Sequence, residues 1–166
     1  MIGTTSLNDK QKGLVYALSQ RTLVFLAASF LPSVFFVIQG LKDMATCLAD
    51  LNYLISVKEK HHVSKKDQPS ATAKSLRFAV SPKDPENIQI QVQRVEHFVS
   101  QHEVNFSGKN DEIKFIHTVS DRSEIANWVI KIALWLYSVR KRDHLQHGLL
   151  GMADFLSIEK LNARLG

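Results

Sequence analysis

The feature that most constrains this fold is a run of twenty uncharged residues between Arg21 and Lys42. Its central part, from Leu23 to Ile38, is almost continuously apolar, and about 20 such residues can cross a bilayer as a helix. Pro32 lies near the middle, where a soluble protein would place the corner between two buried helices, although membrane helices also tolerate proline. Residues 22–41 are therefore expected to form either a membrane-embedded segment or a buried helical hairpin, and both interpretations stay open.

The composition predicts one folded domain over residues 1–166, because 45% of the residues are hydrophobic and 22% are charged. Cys47 is the single cysteine, which excludes an internal disulfide and any site with several cysteine ligands. We therefore expect an intracellular protein in a reducing compartment, with membrane association left open by the apolar run. The net charge of +5 favours polyanionic partners, either nucleic acid or an acidic lipid surface.

Apolar spacing predicts helices along most of the chain. A first helix is expected over about residues 7–31, and a second from Pro32 to about His61, where apolar residues recur every three or four positions. Residues 61–84 are polar, basic and proline-containing, which predicts a flexible linker. Further helices are expected near residues 84–99, 120–139 and 155–165, with a strand as the alternative at 88–92. The sequence therefore predicts an all-α bundle of about five helices, with a basic linker after the second helix.

A basic segment near the carboxyl end carries the residues most suited to chemistry. Six residues separate Arg140 from His147, and four separate Arg142 from His147. A forked guanidinium can bind phosphate oxygens, and a neutral imidazole can accept a proton from a ribose 2′-hydroxyl. These three residues are the predicted catalytic group for RNA cleavage without a metal or cofactor. The same arginines could instead cap the negative end of a helix.

The segment Leu136-Tyr137-x-Val139-Arg140-x6-His147-Gly148 resembles the signature of HEPN-domain ribonucleases, which are all-α proteins. The resemblance implies a homodimer that cleaves RNA at a site built from two copies of the motif. In such a site Arg140 or Arg142 would hold the scissile phosphate, and His147 would act as general acid or base. The alternative function is a non-enzymatic helical interaction module, anchored in a membrane or docked on a protein partner through Leu23 to Ile38 within residues 22–41.

The remaining histidines do not suggest a metal site. His144 and His147 could share a helical face and ligate a metal together with Asp143 or Asp154, but one segment supplies too few ligands for a complete coordination shell. The sequence also lacks a Gly-x-Gly-x-x-Gly dinucleotide fingerprint. We therefore predict no metal and no cofactor. His61 and His62 would point in different directions on a helix, so they are not expected to form a joint metal site. The scattered residues His97, His102 and His117 are interpreted as surface or partly buried polar residues.

Overall fold

The computed structural model of this chain describes residues 1–4, 7–48, 51–142 and 145–157, with residue 142 described by its backbone. In chain order its elements are β1 (Ile2–Gly3), α1 (Asp9–Ser19), β2 (Leu23–Ala27), α2 (Pro32–Leu48), β3 (Leu54–His62), α3 (Ala71–Val80), a 3₁₀ turn (Pro85–Asn87), β4 (Ile90–Val95), β5 (Ser100–Ser107), β6 (Glu112–Val119), α4 (Ser123–Arg142) and β7 (Gly148–Leu150). Residues 152–157 are also helical.

These elements form two compact units. One unit comprises Met1–Pro32 and Ser123–Gly166, and the other comprises Ser33–Arg122. Each unit contains its own β-sheet, so the fold is mixed α/β and the prediction of an all-α bundle of about five helices is wrong. The error arose where apolar residues of buried strands were read as faces of helices, because a short apolar run does not distinguish the two.

The first unit is built around a three-stranded parallel sheet of order β1-β2-β7. The central strand β2 has the sequence Leu-Val-Phe-Leu-Ala, and the side chain of Phe25 is completely buried. A strand in the middle of a parallel sheet is covered on both faces, so it reads as a continuous apolar run. From α4, the ring of Trp135 meets Phe25 edge to face at 6.1 Å between centroids.

The long uncharged run is therefore two short elements and not one long helix or a helical hairpin. It contains all of β2 and the first turns of α2, which begins at Pro32. Proline suits this position, because a backbone N–H in the first turn of a helix has no acceptor within the helix, so the N–H that proline lacks is not needed there. No helix among the described residues is long and apolar enough to cross a membrane. The predicted membrane-embedded segment or helical hairpin at residues 22–41 is not present in this form.

The helix α1 is shorter than expected, because it ends at Ser19 and does not continue to residue 31. Its start is set by a reciprocal capping box. The Asn8 side chain accepts the Gln11 backbone N–H at 2.9 Å, and the Gln11 side chain accepts the Asn8 backbone N–H at 2.9 Å. Two of the unpaired amides at the helix start are satisfied in this way.

The second unit contains a four-stranded sheet of order β4-β3-β5-β6. The β3 and β4 strands are parallel and are joined through α3, whereas β5 pairs antiparallel with both β3 and β6. A parallel pair needs such a crossover connection, which is commonly a helix. Residues 61–84, predicted to be a flexible linker, instead contain the end of β3 and the whole of α3.

One face of this sheet is covered by α2 and α3. Val57 of β3 and Phe106 of β5 are completely buried there, together with Leu41 of α2 and Leu76 of α3. Side chains alternate between the two faces of a strand. Other residues of β3 and β5 in step with Val57 and Phe106 therefore also point into the helix-covered face, and these include the polar residues described next.

Candidate active site

Three polar side chains share the helix-covered face of the second sheet. Glu59 and His61 follow Val57 along β3 at spacings of two residues, and His102 of β5 is paired directly opposite Glu59. All three residues are buried, with exposed fractions of 2%, 7% and 5% respectively. Burying a polar side chain costs free energy unless the side chain is paired, so three buried polar residues at one place indicate a specific role. We refer to Glu59, His61 and His102 as the Glu–His cluster.

The Glu59 carboxylate is held at both oxygens. The Ser70 backbone N–H donates to Oε2 at 2.9 Å, and the Arg94 guanidinium donates to Oε1 at 3.2 Å. Burial opposes ionisation of this carboxyl group, but the hydrogen bonds that Ser70 and Arg94 donate outweigh it, so the pKa of Glu59 lies below its ordinary value. Glu59 is therefore ionised at neutral pH, with Arg94 as its counter-charge.

The imidazoles beside Glu59 are neutral. Burial lowers the pKa of His61, although Glu59 opposes this effect, and burial together with His61 lowers the pKa of His102 to about 4. The rings of His61 and His102 meet edge to face at 5.0 Å between centroids. His102 Nε2 lies 3.2 Å from Ser70 Oγ. The ring of His117 stacks on that of His102 at 6.5 Å between centroids.

The loop between β3 and α3 carries positive charge and is fastened by Arg94. Arg94 Nη2 donates to the Asp67 carbonyl at 2.7 Å and Nε donates to the Lys65 carbonyl at 3.3 Å. Lys65 Nζ forms an ion pair with Asp67 at 2.8 Å and keeps 29% of its side chain exposed. His62 Nδ1 accepts the Ser64 backbone N–H at 3.1 Å, so the N–H of its ring is on Nε2.

The amino end of α3 lies directly after this loop. Ser70 is the N-cap, and its Oγ accepts the Ala73 N–H at 3.1 Å. The amides of Ala71 and Thr72 are in the first turn, where no intrahelical acceptor exists and the helix dipole favours an anion. The start of α3 therefore suits an anion such as a carboxylate or phosphate, and the loop that precedes it carries the Lys65 ammonium.

These observations define a class of protein: an α/β protein with a buried carboxylate–imidazole cluster beside a basic loop and a helix start that suit an anionic ligand. Residues 33–156 match the model of the family described as dihydrodipicolinate reductase, C-terminus. This match covers most of the sequence, and the chain belongs to that family.

Curated relatives agree with this assignment. The chain is 30% identical over 179 residues to the 4-hydroxy-tetrahydrodipicolinate reductase of Hahella chejuensis, covering 96% of this chain and 64% of that protein. It is 27% identical over 178 residues to the reductase of the same name from Buchnera aphidicola subsp. Acyrthosiphon pisum, again covering 64% of that protein. The chain therefore spans a little under two thirds of the length of these relatives.

A solved structure shares the fold. It is a dihydrodipicolinate reductase from Paenisporosarcina sp. TG-14 with dipicolinate bound, and it superposes with a TM-score of 0.58 at 18% identity. The match covers 90% of this chain and 61% of that one. These comparisons show that the HEPN resemblance was wrong, and with it the prediction of an endoribonuclease. The alternative of a non-enzymatic helical module is wrong for the same reason.

The predicted catalytic residues are placed apart from the Glu–His cluster in sequence and belong to the other unit. Arg140 is exposed on α4, His147 is exposed just before β7, and Arg142 is the last residue of α4, with its side chain outside the described atoms. Within the described part of the chain, no hydrogen bond or ion pair joins Arg140 to His147. Their assignment to catalysis came from the resemblance to HEPN-domain ribonucleases, which is wrong. The assignment itself is not tested by the described residues and stays a prediction.

Some of the sequence predictions are not tested by the described residues. His144 and Asp143, considered as metal ligands with His147, lie outside the described residues. The predicted RNA, membrane or protein partners and the predicted homodimer stay predictions, because nothing in the described residues tests them.

The sequence analysis missed the Glu–His cluster because it read β3 as the end of a helix. Under a strand interpretation, Val57, Glu59 and His61 would share one face, and this alternation was the available signal. His102 could not be added from sequence, since its position opposite Glu59 depends on the pairing of β3 with β5. The same is true of Arg94, which meets His61 across β3 and β4.

Proposed function

We propose that this chain is the dicarboxylate-binding part of a 4-hydroxy-tetrahydrodipicolinate reductase. Membership of the reductase family supports this proposal, as do the names of the relatives and the dipicolinate in the structural neighbour. Because the chain spans less than two thirds of those relatives, the activity of the whole enzyme is part of the proposal and not of the comparison.

The observation that carries the proposal is the anion-binding character of the loop between β3 and α3. A dicarboxylate needs two places for negative charge. The first-turn amides at Ala71 and Thr72 suit one carboxylate, and the Lys65 ammonium suits a carboxylate that exchanges for Asp67. The Nε2–H of His62 is a further donor on the same loop.

The buried groups hold this loop in position. Arg94 contacts the carboxylate of Glu59 and the carbonyls of Lys65 and Asp67, so one guanidinium joins the sheet to the loop. Glu59 in turn fixes the amide of Ser70, the N-cap of α3. A site held by several hydrogen bonds before the ligand arrives loses less freedom on binding.

Reduction also requires a hydride, which a nicotinamide or flavin cofactor supplies when it is bound. The residues of this chain do not fit a dinucleotide by the usual motif, because no described helix begins after a Gly-x-Gly-x-x-Gly turn. The part played by the described residues is to bind the dicarboxylate, orient it, and keep Lys65 as the charged group that can give a proton to the reacting molecule.

The test is a calorimetric titration of the chain with pyridine-2,6-dicarboxylate in buffer freed of metal by a chelating resin. Lys65→Ala should weaken binding at least about tenfold, because a charge-assisted hydrogen bond contributes about 1.5–3 kcal/mol. Lys66→Ala is the matched control, since this neighbouring lysine is exposed and should change affinity by less than about twofold. Pyridine-2-carboxylate should bind more weakly to the unmodified chain, because it offers one carboxylate only.

Two results would overturn the proposal. One is an unmodified chain that binds the dicarboxylate no better than the monocarboxylate. The other is equal affinity of the Lys65→Ala and Lys66→Ala variants.

A further inference from the structure

The Lys65 ammonium, proposed above as a contact for a ligand carboxylate, already has a carboxylate partner within the chain. Lys65 Nζ lies 2.8 Å from Asp67 Oδ1, which is the distance of a charge-assisted hydrogen bond. Both residues belong to the loop that connects β3 with α3. A carboxylate that approaches Lys65 therefore meets an ammonium that is already bound.

The backbone at this ion pair is fixed, whereas its two side chains can separate. The Arg94 guanidinium donates to the Lys65 carbonyl at 3.3 Å and to the Asp67 carbonyl at 2.7 Å. The Lys65 backbone N–H donates to the His62 carbonyl at 3.0 Å. The side chains are more open, because 29% of that of Lys65 and 52% of that of Asp67 is exposed. Rotation of these two side chains would therefore open the ion pair and leave the loop in place.

Asp67 carries its negative charge at neutral pH. The hydrogen bond from Lys65 lowers the pKa of the Asp67 carboxyl group below its ordinary value, and burial opposes this effect only in part. The neighbouring guanidinium of Arg94 is paired with Glu59 at 3.2 Å. Asp67 is therefore the counter-charge of Lys65 when no ligand is bound.

Exchange of one carboxylate for another at Lys65 brings little free energy. The ligand gains a bond to the ammonium, but the bond from Lys65 to Asp67 is lost. Asp67 is two residues from Lys65 in the sequence, so its carboxylate competes at a high effective concentration. A lysine ammonium has three donors, and a ligand that joined Asp67 without replacing it would place two carboxylates side by side, where like charges repel. In either case Asp67 lowers the affinity for an anion at Lys65.

An alternative role for Asp67 is to orient Lys65. A carboxylate that holds an ammonium towards a ligand reduces the freedom that is lost on binding, and so it supports affinity. The two roles predict opposite signs for the effect of removing the Asp67 charge. The exposure of both side chains favours competition, because a partly exposed ion pair holds a lysine side chain weakly.

We propose that Asp67 is an internal competitor for the ligand carboxylate at Lys65, and that a dicarboxylate binds by replacing Asp67 on the ammonium. This inference rests on the proposed function, because it concerns the same site. The first turn of α3 contains no acidic residue, so the second carboxylate of the ligand has no such competitor there. Asp67 therefore sets the affinity of the site at its Lys65 end.

The experiment compares the binding of pyridine-2,6-dicarboxylate to the parent chain, Asp67→Asn and Asp67→Ala, using calorimetry in metal-free buffer of constant ionic strength. Both variants should bind the ligand at least about threefold more tightly than the parent, because the ion pair no longer has to be broken. Two substitutions are needed, since the asparagine amide could itself donate to the ligand, whereas alanine could not. Asp43→Asn is the matched control, because it removes the same charge from an exposed residue of α2. Screening by salt should keep its effect below about 1.5-fold.

The Lys65→Ala background separates exchange from simple repulsion. Without the ammonium, Asp67 has nothing to compete for, so adding Asp67→Asn should change the affinity of the Lys65→Ala chain by less than about 1.5-fold. Binding that is too weak for calorimetry is followed by the chemical shifts of the ligand in NMR titrations of the same proteins. An equal gain in both backgrounds would overturn the exchange, because Asp67 would then act through its charge alone.

The inference is also overturned if Asp67→Asn and Asp67→Ala bind the dicarboxylate as the parent does or more weakly. That outcome leaves the proposed function intact when the parent prefers the dicarboxylate to the monocarboxylate and Lys65→Ala binds more weakly than Lys66→Ala. If those two comparisons fail, the proposed function fails, and this inference fails with it.

Discussion

Replacing Phe25 tests how much of the first unit depends on the central strand β2. The side chain is completely buried and stands edge to face with Trp135 at 6.1 Å between ring centroids. An aromatic side chain removes about 150–250 Å² from water, which at about 25 cal/mol per Å² corresponds to about 4–6 kcal/mol for the whole group. Alanine keeps part of that burial, so Phe25→Ala should lower the free energy of unfolding by about 3–5 kcal/mol.

The assay is urea unfolding followed by tryptophan fluorescence. Both tryptophans of the chain, Trp128 and Trp135, lie on α4, so the signal reports the first unit. Leu134→Ala is the control on the same helix, because its side chain is 64% exposed and its loss should change stability by no more than about 0.5 kcal/mol. If Phe25→Ala and Leu134→Ala unfolded at the same urea concentration, the burial argument would be refuted.

A double-mutant cycle separates the ring contact from simple burial. Phe25→Leu and Trp135→Leu both keep an apolar side chain in place, and far-UV circular dichroism follows unfolding where a tryptophan is lost. An edge-to-face pair contributes about 0.5–1.5 kcal/mol beyond burial, so the cycle should give a coupling energy of that size. Additive effects of the two substitutions would show that the rings make no specific contribution.

Two further predictions concern backbone positions in the first unit. Gly3→Ala should lower the melting temperature of the chain, because an added Cβ would collide with the ring of Phe30. Gly13→Ala should instead stabilise the chain by about 0.5–1 kcal/mol, because its Cβ would meet open space within α1. A thermal melt in which both substitutions change stability in the same direction would contradict this. Asn8→Ala removes the cap that accepts the Gln11 amide and should cost about 1 kcal/mol in urea unfolding, so an unchanged midpoint would argue against the capping box.

The sequence predicted several local features correctly. Pro32 does mark a boundary at the start of α2, and the segment after residue 120 does contain a long helix, α4. Local properties of the sequence account for both correct predictions. Proline suits the first turn of a helix, and the apolar spacing along α4 is long enough to show the helical period over several turns.

The strands were missed for a physical reason. β2 is buried on both faces, so it shows no alternation, and residues 88–92 were read as a helix although alternation is visible there. A strand gains its stability from partners that lie far away along the chain, such as β5 for β3. The periodicity of the sequence therefore does not show which segments pair with each other.

What the amino-acid sequence determined alone is local: the caps, the proline boundary, the single thiol and the basic character of the segment after β3. The Glu–His cluster was decided by tertiary structure, because Glu59 and His102 become neighbours only through the register of β3 with β5. Arg94 likewise reaches Glu59 only after α3 has returned the chain to form β4 beside β3. Burial beneath α2 and α3 then turns ordinary histidines into neutral rings with unpaired nitrogens, which no inspection of their sequence spacing could have revealed.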